Sequence, residues 1–183
     1  VFIVSYPSCI TTGVHNDFDK LLDYCAEHSI PVHIDGAWFG QCRNFELDVT
    51  HPAIHSVSVS LSKALGMGSQ RIGIRYTREK TPGPISVMND FNYANVSDMW
   101  LGVEAMRHFG VDYWWSNYED LYTRVCADFG LAESNSIHVG WITDDNGTHQ
   151  FGVRTPLRYL IEGIFDERGT DLGLNAIERA ERK

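Results

Sequence analysis

The sequence predicts an α/β protein: a mainly parallel sheet flanked by helices, followed by a small α+β region. Three observations carry this. Residues 1–5 and 30–35 are short runs rich in β-branched side chains, and the stretch between them sets Phe18, Leu21, Leu22 and Cys25 on one helical face. Strand, helix and strand at this spacing form a βαβ unit, which runs its strands parallel through a right-handed crossover. A further apolar alternation spans residues 57–61. Towards the other end, Asp145-Asn146-Gly147 separates two strand-like runs, and Asn-Gly suits the type I′ turn of an antiparallel hairpin.

Taken in order, residues 1–5 form a strand that Pro7 ends, and a loop runs through Ile10-Thr11-Thr12-Gly13. Asn16 or Asp17 caps a helix to about His28. Residues 30–35 form the second strand, which stops at Asp35; residues 57–61 form the third. Residues 71–76 alternate strongly and form a fourth. After Thr81-Pro82-Gly83-Pro84 the chain changes character. Asn95 or Ser97 starts a helix that ends near Gly110. Asp112 starts another, ending at Gly130, whose Trp115, Tyr118, Tyr122 and Val125 recur at helical spacing and are expected in packing rather than around a ligand. Residues 137–143 and 149–154 are the hairpin strands. Thr155 and Pro156 open a helix to about Phe165, and residues 171–183 form a polar terminal helix. The expected division is residues 1–110 and 111–183.

Composition sets outer bounds. The chain has 183 residues, enough for one domain with a real core or one and a half. A hydrophobic content of 43% with 21% charge fits a globular protein, and a net charge of −9 argues against a nucleic-acid partner. No apolar run reaches membrane-spanning length. Cys9, Cys25, Cys42 and Cys126 show no CxxC spacing and read as reduced thiols of a cytosolic protein. His33 and Asp35 share a strand face, but no third ligand stands at metal-site spacing, so no metal is expected. Val1 opens directly inside a strand run with no initiator methionine, so the sequence is expected to be the C-terminal portion of a longer chain.

The chemistry gathers around Ser60-Leu61-Ser62-Lys63. A lysine at the end of a buried strand is costly to desolvate unless it has a partner or a task. Imine formation with an aldehyde is a task that suits it. Ser60 lies just before it and Arg71 a short turn after it, and such donors suit a phosphate. An aldehyde and a phosphate on one small molecule describe pyridoxal 5′-phosphate. Asp35 ends its own strand, and ligands of open α/β sheets bind outside the carboxyl ends of strands, so Asp35 and Lys63 are expected at one crevice.

These residues also resemble a family. Ser60-Leu61-Ser62-Lys63, the turn with Gly66 and Gly68, and Arg71-Ile72-Gly73 are similar to the lysine segment of fold-type I pyridoxal-phosphate enzymes, with the aminotransferase branch closest. His33-Ile34-Asp35-Gly36-Ala37-Trp38 resembles the family's second signature, and the two stand in the family's order. The resemblance covers about residues 1–76. It implies that residues 1–110 belong to the large cofactor-binding domain and that residues 111–183 are a linking helix and small domain. It implies Lys63 as Schiff-base lysine and proton carrier, Asp35 on the pyridine nitrogen, and Ser60, Ser62 and Arg71 around the phosphate. Ala37 would leave room for the ring face, and Trp38 stands where many members carry a tyrosine that bonds the phenolic oxygen. Arg154, with Arg158 as alternative, would bind the substrate carboxylate. An amino acid and a 2-oxo acid as substrates, a homodimer, and a cytoplasmic setting are implied as well.

The sequence departs from the family at Ile10 and Thr11, where an asparagine and a proline are usual, and residues 92–96 lack the arginine of dicarboxylate-specific members. The family's glycine-rich phosphate loop and ring-stacking aromatic are absent from these residues. Two other readings stay open: a decarboxylase or lyase on the same fold, whose lysine usually follows a histidine where Ser62 stands here, and a non-catalytic aminotransferase-like module.

Overall fold

The structure is a computed structural model, and it describes residues 1–8, 15–80, 82–143 and 149–153, the last five by their backbone. The chain divides into two compact units, Val1–Tyr113 and a second that begins at Trp114.

The first unit is built on a four-stranded sheet in the order β1-β2-β3-β4, with β1 at Phe2–Ser5, β2 at Val32–Asp35, β3 at Ile54–Ser60 and β4 at Gly73–Thr77. The first three strands run parallel, as the βαβ spacing predicts; β4 is antiparallel to β3, with Ser60 opposite Gly73. Helix α1, Phe18–Glu27, returns the chain from β1 to β2. Its apolar face buries Phe18, Leu22 and Cys25 against Val32, Ile34 and Val57, and Tyr6 stacks on Phe18 with ring centroids 4.0 Å apart. Each large apolar side chain so buried contributes roughly 1.5–3 kcal/mol, and that contribution fixes the helix to one face of the sheet. The Tyr6–Pro7 bond is cis.

Several boundaries differ from the sequence expectation. The third strand begins at Ile54, and Leu61 leaves it to open a short helix, α2, Leu61–Ala64. The cause is local: the Ser60 hydroxyl oxygen accepts the Ser62 N–H at 3.1 Å, an N-cap that turns the chain out of the sheet. Lys63 therefore rides on a helical turn beyond the strand end. Arg71 and Ile72 precede β4, and Arg71 takes a left-handed φ of 53° that ends strand geometry there. Arg78 closes the far side of β3: its guanidinium donates to the carbonyls of Ile54, Thr50 and His51 at 2.6, 2.7 and 2.7 Å.

Helix α3, Pro84–Asp90, was not expected; Pro84 opens it, where a missing N–H costs nothing. Helix α4, Val96–His108, is capped by Asn95, whose side chain accepts the Asp98 N–H at 3.2 Å. Gly102 of α4 lies against Ile72 and Leu61, and a Cβ there would meet them at 2.9 and 3.1 Å.

The second unit begins within the first turn of α5, Tyr113–Asp128, and α5 precedes a three-stranded antiparallel sheet of β5 (Ala132–Glu133), β6 (Gly140–Thr143) and β7 (His149–Val153). The strands expected over 137–143 and 149–154 are present as β6 and β7, β6 being shorter; the turn between them lies outside the described residues. Trp115, Tyr122, Val125, Cys126 and Ile137 form its core, with Tyr118 packed against them, so the aromatic spacing of α5 does mark packing. The Tyr122 hydroxyl donates to the Val139 carbonyl at 2.9 Å and accepts the Ser134 N–H at 2.5 Å. Burial pushes its ionisation up to about 12.

Cys25, Cys42 and Cys126 are buried thiols. Among the described residues no helix is long and apolar enough to cross a membrane.

Candidate functional site

The carboxyl ends of β1, β2 and β3 meet at one edge of the first sheet. Ser5 stands opposite Asp35, and Asp35 opposite Ser58. The Tyr6 N–H donates to the Asp35 carbonyl at 3.0 Å, and the Gly36 N–H donates to the Ser58 carbonyl at 2.7 Å. This approach is why position 36 is glycine: a Cβ would lie 3.0 Å from the Ser58 oxygen. Asp35 is exposed, and its Oδ1 accepts the Ala37 N–H at 3.0 Å.

After Ala37 the chain makes a single 3-10 turn, Phe39–Gln41, which carries Trp38 at its start. Two contacts bind this turn to α2. The buried Gln41 amide donates to the Lys63 carbonyl, and Gly40 sits so close to Ala64 that a Cβ would come within 2.6 Å of the Ala64 Cβ. The result brings the half-buried Lys63 over Trp38, with Nζ 4.8 Å from the ring centroid. Trp38 is itself buried, at 6% exposure. A cation over an indole face is a stabilising arrangement.

Of the residues singled out from sequence, Asp35, Ala37, Trp38, Ser60, Ser62 and Lys63 lie on the two adjoining strand ends and the turns that follow them. Arg71 does not join them by any contact among the described residues. It is exposed, and its Nη1 donates to the Gly68 carbonyl at 3.3 Å. Arg154 and Arg158 lie outside the described residues, as does the loop holding Ile10 and Thr11.

His33 has a local role. A bulge in the β2–β3 pairing skips His55 and sets Ser56 opposite His33. His33 Nδ1 lies 2.5 Å from the Ser56 hydroxyl, and the two histidine rings meet edge-on at 5.3 Å. Desolvation, then the neighbouring His55 and Arg75, lower the proton affinity of His33. No group of three or more metal-ligating side chains occurs among the described residues. Gln41 and Gly40 are the positioning residues that sequence reasoning missed; a glutamine after a glycine in a loop carries no pattern that would reveal them.

The fold is that of the aminotransferases. An aminotransferase from Neisseria meningitidis matches 86% of this chain with 43% of its own length, at a TM-score of 0.56 and 12% identity. An aminotransferase from Staphylococcus aureus matches 80% of this chain with 43% of its own, at 0.53 and 15% identity. BacF from Bacillus subtilis matches 80% with 42% of its own, at 0.52 and 16% identity. The chain thus spans less than half the length of these solved structures. No family model matches the sequence, and no curated protein matches it.

Proposed function

We propose that this chain is part of a pyridoxal-phosphate-dependent aminotransferase that moves an amino group between an amino acid and a 2-oxo acid. The observation that carries the reading is the pairing of adjoining strand ends. One presents the Asp35 carboxylate, and the turn after the other presents the Lys63 amine. The donor set fits the cofactor. Lys63 offers a nucleophilic amine and Asp35 an anionic acceptor whose Oδ2 has no partner among the described residues. Ala37 is small, and Gly66 and Gly68 leave open space around the turn between Lys63 and Arg71.

Pyridoxal phosphate, when bound, supplies an aldehyde and a ring that accepts electrons from the substrate α-carbon. Lys63 Nζ would be the group that holds it, and the same amine would be the carrier of the substrate α-proton. Asp35 would keep a proton on the pyridine nitrogen through a charge-assisted bond. The Ser60 hydroxyl oxygen is occupied by the Ser62 N–H, so Ser60 takes part as a donor through its own proton. Ser62 and Arg71 would be further phosphate donors, and Arg154 or Arg158 would hold the substrate carboxylate. The working form is a homodimer in the cytoplasm.

The test is borohydride reduction of the full-length protein loaded with pyridoxal phosphate, followed by peptide mapping. The cofactor mass is expected on Lys63; its appearance on Lys20 or Lys80 instead would sink the reading. Amino transfer to 2-oxoglutarate, measured beside carbon dioxide release, separates this activity from a decarboxylase.

A further inference from the structure

We infer that Trp38 is a positioning residue for Lys63: its indole face parks the ε-ammonium and restrains how readily the amine reacts with electrophiles. The buried ring lies beneath the amine, 4.8 Å from Nζ to the centroid. Among the described residues no carboxylate forms an ion pair with Lys63, so the ring face is the electrostatic partner that the structure provides.

The contact is not a chance meeting of two long side chains. The turn that presents the indole also grips the backbone that carries the lysine. The Gln41 amide donates to the Lys63 carbonyl, Gly40 packs against Ala64, and the Gln41 N–H closes the turn on the Trp38 carbonyl at 3.0 Å. Ring and amine are therefore held to one another through two short, separately fixed segments. The amine gives up this contact when it moves off the indole face, so its approach to an electrophile is disfavoured. It also holds the amine in one place until a carbonyl compound competes for it.

That this lysine holds a cofactor rests on the function proposed above; the ring contact does not, and its test leaves the cofactor out. In cofactor-stripped full-length protein, limiting acetic anhydride at neutral pH labels lysines according to how freely their amines meet the reagent, and the exposed Lys20 and Lys80 serve as internal references. Trp38→Leu should raise Lys63 acetylation about two- to fivefold relative to those references, and Trp38→Phe, which keeps an aromatic face, should raise it less. Equal labelling of Lys63 in wild type and Trp38→Leu would overturn the inference, as would Trp38→Phe behaving like Trp38→Leu. A measurement on the unsubstituted protein stands independently of variant folding: the ring current of Trp38 should move the Lys63 ε-methylene protons upfield of those of Lys20 and Lys80. Coincident resonances would equally overturn it. Borohydride labelling away from Lys63, with these results intact, would remove the proposed function and leave the contact standing.

Discussion

Asp35 reaches the end of β2 with Oδ1 taken by the Ala37 N–H, which fixes the carboxylate's orientation and leaves Oδ2 for a further donor. In the proposed enzyme, Asp35→Asn removes the negative charge and keeps the shape. Cofactor affinity should fall by roughly 1.5–3 kcal/mol and turnover by roughly 10²–10³-fold, as measured by absorbance titration and steady-state transfer. Near-normal turnover would take the pyridine nitrogen away from Asp35. A second residue reports on stability. The buried Tyr122 phenol ionises only at about 12 in the folded chain, against 10.0 for its ordinary value. Between those two pH values the unfolded chain releases a proton that the folded one keeps. Stability is thus intact below pH about 10 and declines by about 1.4 kcal/mol per unit as pH rises towards 12. Urea midpoints across that range should fall in the wild type and stay flatter in Tyr122→Phe. Equal slopes would mean that Tyr122 is not the group responsible.

The contact between the Trp38–Gln41 turn and α2 is tight enough to be tested by adding a single methyl group. Gly40→Ala would press its Cβ on the Ala64 Cβ, where the present backbone leaves 2.6 Å. Overpacking of this kind costs about 1–3 kcal/mol and would tilt the helix that carries Lys63. Stability to urea and Lys63 reactivity should both change in Gly40→Ala, and Ala64→Gly in the same molecule should recover part of both. Failure of that rescue would place the strain elsewhere. This pair of elements also marks how far the sequence could be read. The βαβ unit was legible because Phe18, Leu22 and Cys25 recur on one helical face and Val32 and Ile34 alternate on a strand. The signatures at Asp35 and Lys63 were legible because chemistry-bearing side chains stand at strand ends. The exit of Leu61 from β3 was not, since an apolar alternation looks the same whether its last member closes a strand or opens a helix. The Ser60 cap decides it, and a serine at that place has no single meaning. Helix α3 was missed because its run is short and none of its residues is buried.

Across the whole first unit, the sheet presents two outer strands among the described residues, β1 and β4. At β1, Val1 and Ile3 are 81% and 72% exposed, an apolar border with backbone groups open to pairing. The 183-residue span expressed by itself should therefore associate on warming, and Ile3→Lys should lower its light scattering. Unchanged scattering would move the cause to the exposed apolar residues of α3 and α4, such as Ile85 and Trp100. The order β1-β2-β3-β4 has one more consequence. Place in the sheet follows place in the chain, so β2, β3 and β4 each dock on a strand that the ribosome has already released. Among these four strands none inserts between two already paired, and none pairs with a strand beyond its immediate neighbours in the chain. As the nascent chain lengthens, β2 and then β3 serve as the growing border only until the next strand covers them. Among these four strands only β1 and β4 have a side that none of the others covers, and β1 is the earlier of the two to emerge, so of this pair it gives a chaperone the longer opportunity to engage.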